Sequence, residues 1–141
     1  MHNDDSAIQN FIQWLSGRDF QIVSDGKFES FGNRSVVLQA AHVAIRLTKD
    51  RGVWMIDIAQ PFEGGPSIAS DIWYEPKIWQ SYLDGTLPWT APTSLEGQID
   101  FVMTRLSEIE RALLNPEGIG VRLHQLRKSE AQVRFGSKGK N

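Results

Sequence analysis

The sequence predicts an α+β fold: a twisted antiparallel β-meander of three to five strands, packed on one face by an N-terminal helix and a long C-terminal-half helix. Three observations carry that prediction. Residues 42–48 and 53–59 alternate apolar and polar around a glycine-bearing turn, the pattern of a hairpin with one buried face. Ile8, Phe11, Ile12 and Leu15 fall at helical spacing near the start of the chain. Leu95, Ile99, Val102, Met103, Leu106, Ile109 and Leu113 form a longer stripe of the same period.

The elements follow in order. Asp4, Asp5 or Ser6 can cap the first helix, where acidic groups also meet the positive end of the helix dipole, and Gly17 supplies its stop. Short strand-like pieces come next, Phe20 to Val23 and Lys27 to Phe31, with turn signals at Asp25-Gly26 and Gly32-Asn33. Val36 to Leu38 resumes the apolar pattern. In the hairpin, Val43, Ile45 and Leu47 share one face and His42, Arg46 and Thr48 the other. After Lys49-Asp50-Arg51-Gly52, Trp54, Ile56 and Ile58 lie opposite Met55 and Asp57. Pro61 ends that strand, because it cannot donate to a ladder.

Residues 60–69 read as a loop, and Asp71 to Tyr74 as a short edge strand. Pro76 opens a helix carrying Ile78, Trp79, Tyr82 and Leu83, which stops at Asp84-Gly85. Thr93-Ser-Leu-Glu96 matches a capping box for the long helix, which Asn115-Pro116 ends. A weaker helix over roughly 117–133 closes the domain. Residues 1–135 thus form a single domain, followed by a basic tail at 136–141 of linker-like composition.

The chain has 141 residues, 40% hydrophobic and 23% charged, enough to bury a core without staples. It has no cysteine, which excludes disulfides, thiolate metal sites and thiol nucleophiles. The polar start, Met1-His-Asn-Asp-Asp-Ser6, is unlike a signal peptide, and no stretch approaches the run of about 18 apolar residues that a membrane helix needs. The expected location is cytoplasmic. Net charge is −2, unevenly spread: from Val121 onward there are six basic residues against one acid, and before it nine basic against sixteen acidic. The body is therefore acidic and the C-terminal end basic.

No motif declares a reaction. The three histidines, His2, His42 and His124, are far apart and lack companion ligands, so no metal site is expected. The glycines fit neither the Walker pattern nor the dinucleotide fingerprint. No Gly-x-Ser-x-Gly elbow exists. Paired carboxylates can be drawn from Asp57, Glu63, Asp71 and Glu75, of which Asp57, inside an apolar strand, is the candidate acid. Trp73, Tyr74, Trp79, Tyr82 and Trp89 form an aromatic cluster interleaved with acids. Such rings pack cores, and they also anchor interfaces. Only Lys77 is basic there, which argues against base stacking and for a basic protein partner.

The segments Val36-Val-Leu-Gln-Ala-Ala-His-Val-Ala-Ile-Arg46, Asp50-Arg51-Gly52, Val53-Trp-Met-Ile-Asp-Ile-Ala59, Asp71-Ile-Trp73 and Ile78-Trp-Gln-Ser-Tyr-Leu83 together resemble the small immunity proteins of bacterial polymorphic and contact-dependent toxin systems. The resemblance covers about the middle third of the chain. It implies a cytoplasmic protein, not an enzyme and without cofactor, that neutralises a cognate toxin domain by tight one-to-one binding and occlusion of its active site. Many toxin domains are nucleases with basic clefts, toward which an acidic body would be steered. On that reading Glu63, Asp71, Glu75 and Asp84, with Trp73 as anchor, form part of the contact surface. The alternatives are a regulatory adaptor using the basic stretch Arg122 to Lys140, and a small-ligand binder or enzyme using Asp57. No membrane and no nucleic-acid partner is expected.

Overall fold

The computed structural model describes residues 4–28, 33–61, 73–86, 94–115 and 118–131. It is an α+β fold: a four-stranded antiparallel meander in the order β1-β2-β3-β4, with four helices.

Helix α1 (Asp4–Ser16) buries Ile8, Phe11, Ile12 and Leu15, the stripe that its spacing predicts. Its ending differs in detail. Gly17 keeps an ordinary backbone, and Asp19 takes the left-handed conformation at φ 69°. The Phe20 N–H then reaches the Leu15 carbonyl at 3.2 Å while both side chains are buried, the pattern of a Schellman ending. Asp accepts positive φ more readily than most residues, so the chain turns two residues later than its glycine suggests.

Strand β1 (Gln21–Phe28) runs through Asp25-Gly26, which the sequence marks as a turn. The turn signal loses to cross-strand pairing. Arg34 on β2 (Asn33–Gln39) donates to both Asp25 oxygens, at 3.1 and 2.8 Å, and holds the strand straight. The irregularity lies instead between Ile22 and Ser24, where the register slips by one. The Gly32 half of the second expected turn lies outside the described residues, while Asn33 already pairs with Phe28.

Strands β3 (Ala44–Asp50) and β4 (Val53–Ala59) form the expected hairpin. Asp50 pairs with Val53 around a two-residue turn in which Arg51 and Gly52 both have positive φ, 53° and 84°. That is the geometry of a type I′ turn, whose twist matches that of the strands. A Cβ at Gly52 would meet no neighbour, so glycine is required there by backbone conformation and not by space. The Asn33 side chain accepts the Arg51 N–H at 2.9 Å and pins the turn to β2.

Registers align the core in rows: Val36, Leu47 and Ile56 across the sheet, then Leu38, Ile45 and Ile58. All six are buried, on the face that the helices cover. Helix α2 (Pro76–Asp84) contributes Ile78 and Trp79. Helix α3 (Leu95–Leu114) contributes Phe101, Val102, Leu106, Ile109 and Leu113. Helix α4 (Ile119–Ala131) contributes Ile119, Leu123 and Leu126. Helix α2 stops at Gly85, left-handed at φ 68°, as expected. The cap of α3 is Ser94, whose hydroxyl accepts the Gly97 N–H at 3.0 Å, one residue beyond the expected Thr93. The stripe is also rotated: Phe101 is buried while Met103 is 40% exposed.

Helices α1 and α3 begin at the same end of the sheet. Asp5 accepts from the Trp54 indole N–H at 2.7 Å and from the Lys49 ammonium at 3.1 Å. Gln98 on α3 accepts the Ile56 N–H at 3.4 Å. Both contacts lie beside the Arg51-Gly52 turn. No helix among the described residues is long and apolar enough to cross a membrane.

Candidate functional site

Tyr74 pairs with Ile58 at the open edge of β4 through two backbone hydrogen bonds of 2.9 and 3.1 Å, a trace of the expected edge strand. Asp71 and the residue after it lie outside the described residues. Because side chains alternate along an extended chain, Tyr74 faces the helices and Trp73 faces the other way. Trp73 lies over Val37, Ala44 and Ala59 on the second face of the sheet and is 1% exposed. Expected as an anchor ring, it is instead a core ring of that face. Trp79 and Tyr74 are buried as well, and Tyr82 packs edge-on against Trp79 with ring centroids 6.0 Å apart. The described part of the aromatic cluster packs; Trp89 lies outside the described residues.

Two of the four expected contact acids are described. Glu75 is the N-cap residue of α2, half-buried, with extended backbone and no side-chain cap bond. Asp84 is the last residue of the same helix and exposed, about 13 Å away at 1.5 Å per residue. The two therefore stand at opposite ends of α2. Glu63 and Asp71 fall outside the described residues.

Asp84 is moreover committed to a clamp. Arg105 on α3 binds it at 2.7 Å and also binds Glu108 one turn on. The guanidinium hydrogen bonds hold both carboxyls below their usual pKa, and the two carboxylates raise that of Arg105. A carboxylate whose folded pKa is depressed stabilises the fold above its unfolded pKa, about 4, and loses that contribution as pH falls through the folded value. We therefore expect Arg105→Gln to lower the melting temperature at pH 7 and to have a shrinking effect below about pH 4. Thermal melts of both proteins across pH 2–7 check this, and a difference independent of pH would refute it.

Asp57, the candidate acid, sits opposite Arg46 in the β3–β4 register and pairs with it at 3.0 Å. Trp73 stacks on the Arg46 guanidinium at 4.7 Å, and both partners are 20% exposed. His42 and His124 are exposed. Among the described residues no three of His, Cys, Asp and Glu converge as metal ligands.

The basic C-terminal stretch holds a structural residue that composition does not reveal. Arg127 on α4 donates to the Trp73 carbonyl and stacks over the Tyr74 ring at 4.1 Å. Lys77 pairs with Glu130 at 3.2 Å and ties α2 to α4, both side chains being largely buried. Arg134, Lys138 and Lys140 lie outside the described residues.

Three concavities stand out among the described residues. A pocket of about 190 Å³ between α4 and the end of β4 is lined by Tyr74, Trp79, Leu113 and Leu123, without Asp57. A cleft of about 490 Å³ runs beside β4, with Asp4, Asp57 and Glu75 among its lining carboxylates and Lys77 as its cation. An open groove of about 600 Å³ separates α1 from α3. Phe11, Trp14, Ile99 and Met103 give the groove its apolar character, and Glu96 and Asp100 are its charged residues. Phe11 and Trp14 stack with centroids 6.2 Å apart, and Arg18 covers the Trp14 ring at 4.1 Å. Neither Glu96 nor Asp100 makes an ion pair among the described residues, whereas Arg34, Arg46, Lys49, Lys77 and Arg105 are each bound to a carboxylate.

Compared with protein-family models, with curated proteins and with solved structures, the chain gives no match, so its functional reading rests on its own residues.

Proposed function

We propose that this chain is a cytoplasmic immunity protein that neutralises a cognate bacterial toxin, one with a basic active-site surface, by tight stoichiometric binding. The observation that carries the reading is the distribution of charge around the N-terminal ends of α1 and α3. There Asp4, Glu96 and Asp100 stand beside two open clefts and make no ion pair among the described residues, while five of the body's cations are already tied to carboxylates. An acidic surface with apolar floor beneath it attracts a basic partner at long range and gives it something to bury on contact.

Of the acids expected in the contact surface, Glu75 lines the cleft beside β4. Asp84 contributes less charge, because Arg105 offsets it. Asp57 serves the sheet through Arg46, which weighs against an acid–base role. One observation favours a second reading: the pocket of about 190 Å³ beneath α4 has room for a small apolar ligand, held between Tyr74, Trp79 and Leu123.

The test is capture from the organism that encodes the chain, followed by calorimetry on the recovered partner. The expected result is one toxin-domain protein, bound one to one at nanomolar affinity, that halts growth when expressed alone and is harmless beside this chain. A partner whose toxicity is unaffected by the chain, or none captured, would overturn the proposal.

A further inference from the structure

The groove between α1 and α3 is the least explained surface of the molecule. Its two walls differ. The α1 wall is neutral, with Ala7 and Asn10, and the α3 wall carries Glu96 and Asp100, four residues apart on one helix face. Like charges at that spacing repel and cost the isolated helix a few tenths of a kcal/mol. Elsewhere on α3 the acid Glu108 is matched by Arg105. Among the described residues neither acid makes an ion pair, and Arg18, just beyond the end of α1, lies over the Trp14 ring. The floor is apolar: Phe11 is 1% exposed beneath a half-buried Trp14, and Met103 stands 40% exposed at the side.

Length sets the occupant's size. Residues 94–103 span ten positions of α3 and its cap, about 15 Å at 1.5 Å per residue, close to three turns of a docked helix. We infer that this groove receives an amphipathic helix from the partner, with Leu-like side chains on Trp14, Ile99 and Met103 and two Lys or Arg residues spaced i, i+4 against Glu96 and Asp100. Helix-in-groove docking places anchors at i, i+3, i+4 and i+7, which is the spacing a floor of this length accepts. The charge pattern gives the occupant a rotation as well as an affinity. Only a helix whose basic residues flank its apolar stripe on the α3 side matches both walls.

The inference rests on the partner-binding reading but is tested apart from it. The probe is a synthetic 16-residue helical peptide with four Leu anchors and Lys at two positions i, i+4. A peptide with Glu at those two positions is the control. Titration into the isotopically labelled full chain, followed by backbone amide shifts, should perturb residues 7–14 and 94–103. Binding should weaken about tenfold in Glu96→Lys/Asp100→Lys and with added salt, as expected for two reversed surface charges. Both acids are exposed, so the variant keeps its fold, which its melting temperature verifies. Shifts centred elsewhere, equal binding of the control peptide, or an unaltered affinity in the variant would overturn the inference. So would a dimer in sedimentation that the double variant dissolves, since the occupant would then be a second copy. If the captured toxin binds the variant as well as it binds the parent, the groove falls and the immunity reading stands. If no toxin is captured but the peptide seats in the groove, the immunity reading falls and the groove stands.

Discussion

Trp79→Ala is expected to destabilise the fold by about 3–5 kcal/mol, the range for emptying a large aromatic site in a core. A domain of this size has about 5–15 kcal/mol to lose, so the variant will sit near the edge of folding at 37 °C. Trp79 is 0% exposed and lies between α2 and the β4 end of the sheet, in contact with the layer that α4 closes. Its indole N–H donates to the Ile58 carbonyl at 3.3 Å. That carbonyl also accepts the Tyr74 N–H at 3.1 Å, so it keeps a partner when the indole is gone. The cost is therefore mainly the cavity and the lost contacts, with only a small share from the hydrogen bond. Trp79→Phe separates the two contributions: it keeps most of the ring, loses the N–H, and should cost about 1–2 kcal/mol. Denaturant unfolding followed by circular dichroism gives both numbers. A loss below about 1 kcal/mol for the alanine variant would mean that α2 does not seal the core as described.

What the sequence revealed follows from the range of the forces involved. The β3–β4 hairpin was legible because alternation and a glycine-bearing turn are local, although the turn proper is only Arg51-Gly52, with Lys49 and Asp50 still paired in β3. The stop of α2 at Gly85 was legible for the same reason. Errors arise where a distant residue decides. Asp25-Gly26 reads as a turn until Arg34 of the neighbouring strand grips Asp25 from both oxygens. Gly17 does follow the last residue of α1, Ser16, yet the left-handed residue is Asp19, past which the Phe20 N–H returns to the Leu15 carbonyl. The stripe on α3 seemed to include Met103, yet packing against the neighbouring helices turned Phe101 inward.

The candidate surface was less legible than the fold. Composition disclosed an acidic body, and nothing local disclosed where unpaired acids gather. Asp84 looks equivalent to Glu96 in sequence; Arg105, twenty-one residues away, makes them different. Trp73 looked like a surface anchor because it sits among acids. Its direction, onto the second face of the sheet, follows from the pairing of its neighbour Tyr74 with Ile58, which no window of sequence contains. The α1–α3 groove depends on how far two helices diverge, and that is set by the side chains beneath them. Glu96 and Asp100 stand at i, i+4 in the sequence, but that spacing alone does not say that they border a groove.

The second large effect concerns Asp57. Removing it in Asp57→Ala leaves the Arg46 guanidinium under Trp73 with its main counterion gone. Breaking a fully buried pair costs about 3–5 kcal/mol, and one-fifth exposure with water access lowers the expectation to about 2–3 kcal/mol. The Arg46 Nε–H has no acceptor among the described residues, so the guanidinium has little left to hold it in place. Replacing both partners together, Arg46→Met with Asp57→Leu, removes two desolvated charges at once and should be close to neutral. The apolar pair would extend the cluster of Val37, Ala44, Ala59 and Trp73 across the outer face. A double-mutant cycle in denaturant unfolding measures the coupling directly. If the single variant is harmless and the double variant costly, Arg46 and Asp57 do not act as a pair, and a role for Asp57 outside the sheet has to be sought. If the cycle behaves as expected, this carboxylate is explained by the cation beside it, and the unpaired acids at the α1–α3 groove become the stronger candidates for function.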